Sequence, residues 1–96
     1  MIEYIDNRIK ATAGEDICLI AKGIEASGEA LDGCSLCLFD EAGNEFYHVQ
    51  GILNDAELWE FYIPASITVG RSGRHWYCAY DNEHTSLCFK CPIYFV

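Results

Sequence analysis

Positive charge is scarce in this chain: six Lys and Arg face fifteen Asp and Glu over 96 residues, a formal net charge of −9. Phosphate backbones and anionic lipid headgroups repel such a surface, so neither nucleic acids nor membranes are expected partners. Long apolar runs are missing too. No window approaches the roughly 20 apolar residues that cross a bilayer, and the opening MIEYIDNRIK carries early charges instead of the apolar stretch of a secretory signal. Asn-x-Ser/Thr acceptors are absent. These absences describe a chain made and kept in a reducing cytoplasm, where its six cysteines are thiols rather than disulfides. Reaction motifs are lacking as well: no HExxH, no GxSxG and no paired carboxylates in an apolar setting. The expectation is a non-enzymatic protein with no catalytic residues and no cofactor.

What is present is apolar and aromatic, at 51% and 14% of residues, enough to fold one small domain spanning residues 1–96. Turn signals recur at short intervals: Ala13-Gly14-Glu15, Ala26-Ser27-Gly28, Leu31-Asp32-Gly33, Asp40-Glu41-Ala42-Gly43-Asn44, Leu53-Asn54-Asp55, Gly70-Arg71-Ser72-Gly73 and Asp81-Asn82-Glu83-His84. Between them lie short segments rich in β-formers, which predicts strands over 16–22, 34–39, 58–63, 73–80 and 86–96. Alternation assigns faces. Ile17, Leu19 and Ala21 share one side of their strand, Cys34, Leu36 and Leu38 another, and Trp59, Phe61 and Ile63 a third. In 73–80, Trp76, Cys78 and Tyr80 oppose His75, Tyr77 and Ala79, with Trp76 a candidate core tryptophan. NDAELW, which could cap a helix, reads as turn and strand because FYI follows at once. The predicted fold is an all-β sandwich of about seven strands.

Two CxxC pairs, Cys34-Ser35-Leu36-Cys37 and Cys88-Phe89-Lys90-Cys91, raise the question of zinc. Zinc needs paired ligands on a tight turn, so that both sulfurs aim at one ion. Both pairs here continue into strand chemistry, LFD and PIYFV. Positions three apart in a strand face opposite sides, so neither pair converges on a metal. The cysteines read as small buried hydrophobes and no metal site is expected. Strand pairing could still join one cysteine from each pair, and an inter-sheet bridge between Cys18 and Cys78 is the oxidised alternative. His48, His75 and His84 lie in no metal-spaced pair and read as solvated or core-edge side chains.

VGRSGR, Val69 to Arg74, superficially resembles a phosphate loop, but it lacks GxxxxGK(S/T) and is followed by the strand HWYCAY where a helix should stand. Its Arg71 and Arg74 hold two of the six positive charges and are candidate contacts to a carboxylate on a neighbouring subunit. Trp59, Phe61, Tyr62, Trp76, Tyr77 and Tyr80 either build the core or form an exposed platform for carbohydrate or peptide, with Trp59 and Tyr62 as candidate contacts.

The order of these features is similar to a known family. GEDICLIAKGIEASGEALDGCSLCLFDEAGNEFYHV, then ELWEFYIPASIT, then VGRSGRHWYCAYDNE and a last apolar strand resemble the small immunoglobulin-like domains of tailed-bacteriophage structural proteins, including the N-terminal domain of upper baseplate proteins. Gly14, Gly28, Leu31, Gly33, Asp40, Gly43, Gly73, Trp76 and Tyr77 carry the likeness, which covers residues 13–96. The resemblance implies an immunoglobulin-like antiparallel β-sandwich. It further implies a virion component of a phage or prophage, made in the bacterial cytoplasm: an assembly or adaptor module of tail, baseplate, neck or capsid. Its implied partners are other virion proteins and copies of itself in a homo-oligomer or ring.

Overall fold

A computed structural model describes residues 2–5, 8–22, 33–81 and 91–96. In chain order these form β1 (Ile2–Ile5), β2 (Arg8–Ala11), β3 (Ile17–Lys22), β4 (Cys34–Phe39), β5 (Glu45–Gln50), β6 (Ile52–Leu53), β7 (Leu58–Ile63), a single helical turn α1 (Ala65–Thr68), β8 (Gly73–Asp81) and β9 (Cys91–Phe95). The expected turns at 26–28 and 82–84, the strand start at 86–90, Cys88 and His84 lie outside the described residues.

Nine strands are described rather than about seven, in a sheet of order β1-β2-β9-β8-β4-β5 and a second of order β3-β7-β6. Beyond the five predicted ranges stand the N-terminal hairpin, whose alternation buries Ile9 and Ala11, β5, and the two-residue β6. The expectation of wholly antiparallel pairing is corrected at one seam. β2 runs parallel to β9, with Ile9 opposite Ile93 and Ala11 opposite Phe95. The hairpin reverses the chain first, and β2 then meets the last strand travelling the same way.

The core lies between the sheets: Ile9, Ala11, Ile17, Leu19, Cys34, Leu36, Leu38, Trp59, Phe61, Ile63, Ile93 and Phe95 form one buried cluster. Full burial of a Leu, Ile or Phe side chain contributes about 1.5–3 kcal/mol, so this layer holds the sheets together. The alternation assigned to β4 and β7 holds, with Cys34, Leu36 and Leu38 and with Trp59, Phe61 and Ile63 as the buried sides; Ile17 and Leu19 are buried on β3, while Ala21 is exposed. On β8 it is His75, Tyr77 and Ala79 that meet the core, so Trp76 lies on the outer side and Trp59 is the core tryptophan.

Local chemistry fixes the connections. Asp40 Oδ1 accepts the Asn44 N–H at 2.8 Å while Gly43 takes φ 92°, closing the β4–β5 turn. These N–H donors, Asn44 first, hold the Asp40 carboxyl below the ordinary carboxylate range. Asn54 Oδ1 accepts from Ala56 and Leu58 N–H at 2.9 and 3.0 Å, which makes NDAELW the β6–β7 turn. Thr68, wholly buried, accepts the Gly14 N–H at 3.0 Å, and Asp16 Oδ1 accepts the Ala65 N–H at 2.8 Å; together they tie α1 to the β2–β3 turn. Gly51 carries the chain from one sheet to the other. A Cβ there would stand 2.7 Å from Phe61 Cε1 and 3.0 Å from the Cys34 carbonyl oxygen.

Candidate functional site

Register builds the outer face of the six-stranded sheet in rows. Lys10 of β2 lies opposite Tyr94 of β9, and Tyr94 opposite Arg74 of β8. The next row runs Pro92, Trp76, Phe39 and Glu45. The third sets Cys78 beside Cys37 and Cys37 beside His48, and a fourth joins Tyr80, Ser35 and Gln50. Arg8, two residues before Lys10 on β2, completes a cationic corner edged by Glu3 of β1 opposite Lys10, and an open depression there is lined by Arg8, Lys10, Tyr94 and Val96. The Arg74 guanidinium lies 5.1 Å from the centre of the Trp76 ring, and its Nη2 stands 4.0 Å from Glu41 Oε1.

The outer face of the three-stranded sheet is smaller and more apolar. Ile20, Glu60 and Ile52 form one row across β3, β7 and β6, and Cys18 lies opposite Tyr62 in another. Ile20, Ile52 and Tyr62 are 46%, 58% and 49% exposed. The Tyr62 hydroxyl donates to Glu60 Oε2 at 2.9 Å, and that carboxylate pushes the phenol up to about 12. At the open edge of β3 the Ile20 N–H donates to the Tyr4 hydroxyl at 3.3 Å, so a side chain from β1 of the larger sheet covers that edge.

The four candidate contacts do not converge. Trp59 is corrected outright: it is 6% exposed, because its position on β7 points between the sheets. Arg71 is partly covered and engaged internally, its guanidinium carbon 3.4 Å from the Phe46 ring centre and its Nε donating to the Ile67 carbonyl at 3.3 Å. A bulge between Leu38 and Phe39 shifts the β4–β5 register beside Phe46, whose ring also meets His75 edge-on at 5.8 Å. Arg74 and Tyr62 are accessible, but on opposite outer faces. Sequence reasoning missed Lys10, Tyr94 and Glu60. The alternation of Arg8 and Lys10 in RIKA was the available signal.

Cys34 is buried in the core and Cys37 lies on the outer face, so the first CxxC pair diverges as its strand demands. Pairing does juxtapose two thiols, Cys37 and Cys78, neither the expected mixture of the two CxxC pairs nor a reactive couple. Burial first, then the Glu45 carboxylate that takes its hydrogen bond, pushes Cys37 up to about 12. The Tyr80 hydroxyl next to them is raised by burial and then by Cys78. Cys18 is raised by burial and by Glu60. Cys18 and Cys78 belong to the outer rows of different sheets, which removes the inter-sheet bridge. Among the described residues no group of three or more His, Cys, Asp or Glu is placed to hold a metal. His48 is exposed; His75 is buried between the Phe46 and Phe95 rings with Nδ1 3.2 Å from the Gly73 carbonyl oxygen. In VGRSGR, Gly70 and Gly73 both take φ 80°, as a turn into β8 needs.

No family model, curated protein or solved structure matches this chain.

Proposed function

We propose that this chain is an immunoglobulin-like sandwich that works by docking, as a non-enzymatic structural module of a tailed-bacteriophage or prophage virion. Strand order is the observation that carries the reading. From β3 to β9 the strands follow the B-to-G sequence of an immunoglobulin sandwich that has a C′ strand and, among the described residues, no C″: β3-β7-β6 corresponds to B-E-D, and β9-β8-β4-β5 to G-F-C-C′. Two antibody features are replaced. The inter-sheet disulfide gives way to outward thiols at Cys18 and Cys78, consistent with a protein that folds among reductants. The core tryptophan sits on β7 instead of β4.

A docking role is supported by the outer faces, where Ile20, Ile52 and Tyr62 remain uncovered. Assembly into tail, baseplate, neck or capsid follows from the family resemblance, and symmetric repetition would multiply modest contacts. The test is peptide mass spectrometry of particles purified on a density gradient from the strain that carries this gene. Stoichiometric presence is expected. Absence from the particles, with the protein found in the lysate, ends the virion reading.

A further inference from the structure

We propose that Cys37 and Cys78 form a thiol–disulfide couple: a bridge from β4 to β8 that closes in contact with a low-molecular-weight disulfide and reopens among thiols. Among the described residues no other two cysteines stand directly opposite each other. Both side chains lie on the outer face of the six-stranded sheet, where β4 and β8 are inner strands held by neighbours on each side.

Backbone bonding fixes the geometry of the pair from both directions. The Gly51 N–H donates to the Cys34 carbonyl at 2.7 Å, which turns the even residues of β4 toward β5 and Cys37 toward β8. Val96 donates to the Ala11 carbonyl and accepts from Ala13, which turns the odd residues of β9 toward β8 and leaves Cys78 facing β4. Cys37 and Cys78 are therefore a hydrogen-bonded pair, with Cα atoms about 5.5 Å apart, inside the roughly 4.4–6.8 Å that a disulfide spans. Their Cβ atoms start about 5.5 Å apart, and a disulfide draws such atoms to about 3.8 Å. Closure strains the ladder, and a strained bridge is readily reduced. The couple accordingly stays open in a reducing cytoplasm and closes in an oxidising medium.

The two thiols differ in access. Cys37 is half-buried and lines an open depression of about 400 Å³ with Ser35, Phe39, Glu45, His48 and Tyr80, whereas Cys78 is 4% exposed. Cys37 therefore meets the reagent first. Its thiolate attacks one sulfur of the small disulfide, a mixed disulfide forms, and half of the reagent departs as a thiol. The Cys78 thiolate then attacks the Cys37 sulfur and releases the other half. The protein gives up two electrons and two protons, and both end on the departing thiols. Burial and the Glu45 carboxylate keep Cys37 protonated, so the couple reacts slowly even though its strands place it for closure.

The test is equilibration of the folded protein with oxidised glutathione, then alkylation, proteolysis and mass mapping of the thiols, with circular dichroism to confirm that each variant folds. Wild type is expected to lose two hydrogens and to yield one linked pair of peptides, Cys37 with Cys78. An excess of reduced glutathione should restore both thiols. Cys78→Ser should stop at a glutathione adduct on Cys37, and Cys37→Ser should leave Cys78 as a thiol; if Cys78→Ser misfolds, Cys78→Ala serves in its place. A bridge between other cysteines, no bridge at equilibrium, or a bridge that reduced glutathione leaves closed would each overturn the proposal. The couple is independent of the virion reading, since purified protein tests it whatever the particles contain.

Discussion

The two outer faces obey the same alternation yet differ in how much water they see. On β7, flanked by β3 and a two-residue β6, the outward Tyr62 is 49% exposed, and Ile20 and Ile52 stand nearly free at 46% and 58%. On β8, paired to β9 over Gly73–Tyr77 and to β4 over Trp76–Asp81, the outward Trp76 and Tyr80 are half-buried and Cys78 is 4% exposed. Neighbouring side chains in a wide sheet shield one another across strands; in a narrow sheet there are few neighbours to do so. Exposure on an outer face is therefore set by strand count as well as by pattern.

Two adjacent residues on β7 test that contrast with the largest effect. Phe61 is 1% exposed and points inward, Tyr62 points out. Phe61→Ala should cost about 3–5 kcal/mol in urea unfolding, and Tyr62→Ala about 0.5 kcal/mol or less. Similar losses measured on dilute protein would show that the smaller sheet's outer face is covered, and would break the comparison. Next in size is the crossing between the sheets. Gly51→Ala forces a methyl against the Phe61 ring and the Cys34 carbonyl, and should cost about 1–3 kcal/mol. A neutral result would mean that the sheets are free to shift apart at Gly51, and that the close approach of β6 and β7 to β4 is not needed.

Much of the inner layer was legible in the sequence. The grouping of β4 and β7 residues into two sides, and the turns at Asp40–Asn44 and Asn54–Glu57, follow from alternation and side-chain caps that act within a few residues. β8 was misread for a physical reason. Alternation yields two sets without saying which faces the core, and on a central strand both sides are shielded. The set with Trp76 and Cys78 looks more apolar, yet His75 goes inside, with the Gly73 carbonyl 3.2 Å from its ring nitrogen and the Phe46 and Phe95 rings edge-on to it. The cationic corner was not legible either. Lys10, Arg74 and Tyr94 become neighbours only through the parallel β2–β9 seam, and no local signal announces a pairing between the two ends of a chain. Arg71 and Arg74 looked alike in VGRSGR; Phe46, from another strand, is what separates them.

The smallest predicted difference lies at alkaline pH, and it distinguishes the faces by cause. Cys37 on the wide sheet and Tyr62 on the narrow one are both pushed up to about 12, from ordinary values of 9.0 and 10.0. In each case folding favours the neutral form, so the stabilising effect is complete below the unfolded value. It is lost as pH rises, because the unfolded chain releases its proton first. The urea midpoint should accordingly hold to about pH 9 and fall from there toward 12. Cys37→Ala should make the fall shallower from about pH 9, and Tyr62→Phe only from about pH 10. The causes then part the two. Burial leads for Cys37, whereas hydrogen bonding to Glu60 leads for Tyr62. Glu60→Gln should therefore reproduce most of the Tyr62→Phe effect and leave the Cys37 portion in place. Concentrated salt should trim the exposed tyrosine–glutamate portion more than that of the half-buried Cys37 thiol. A Cys37 portion that vanishes in salt would mean that the wide face is as wet as the narrow one, and the distinction between the faces would fall.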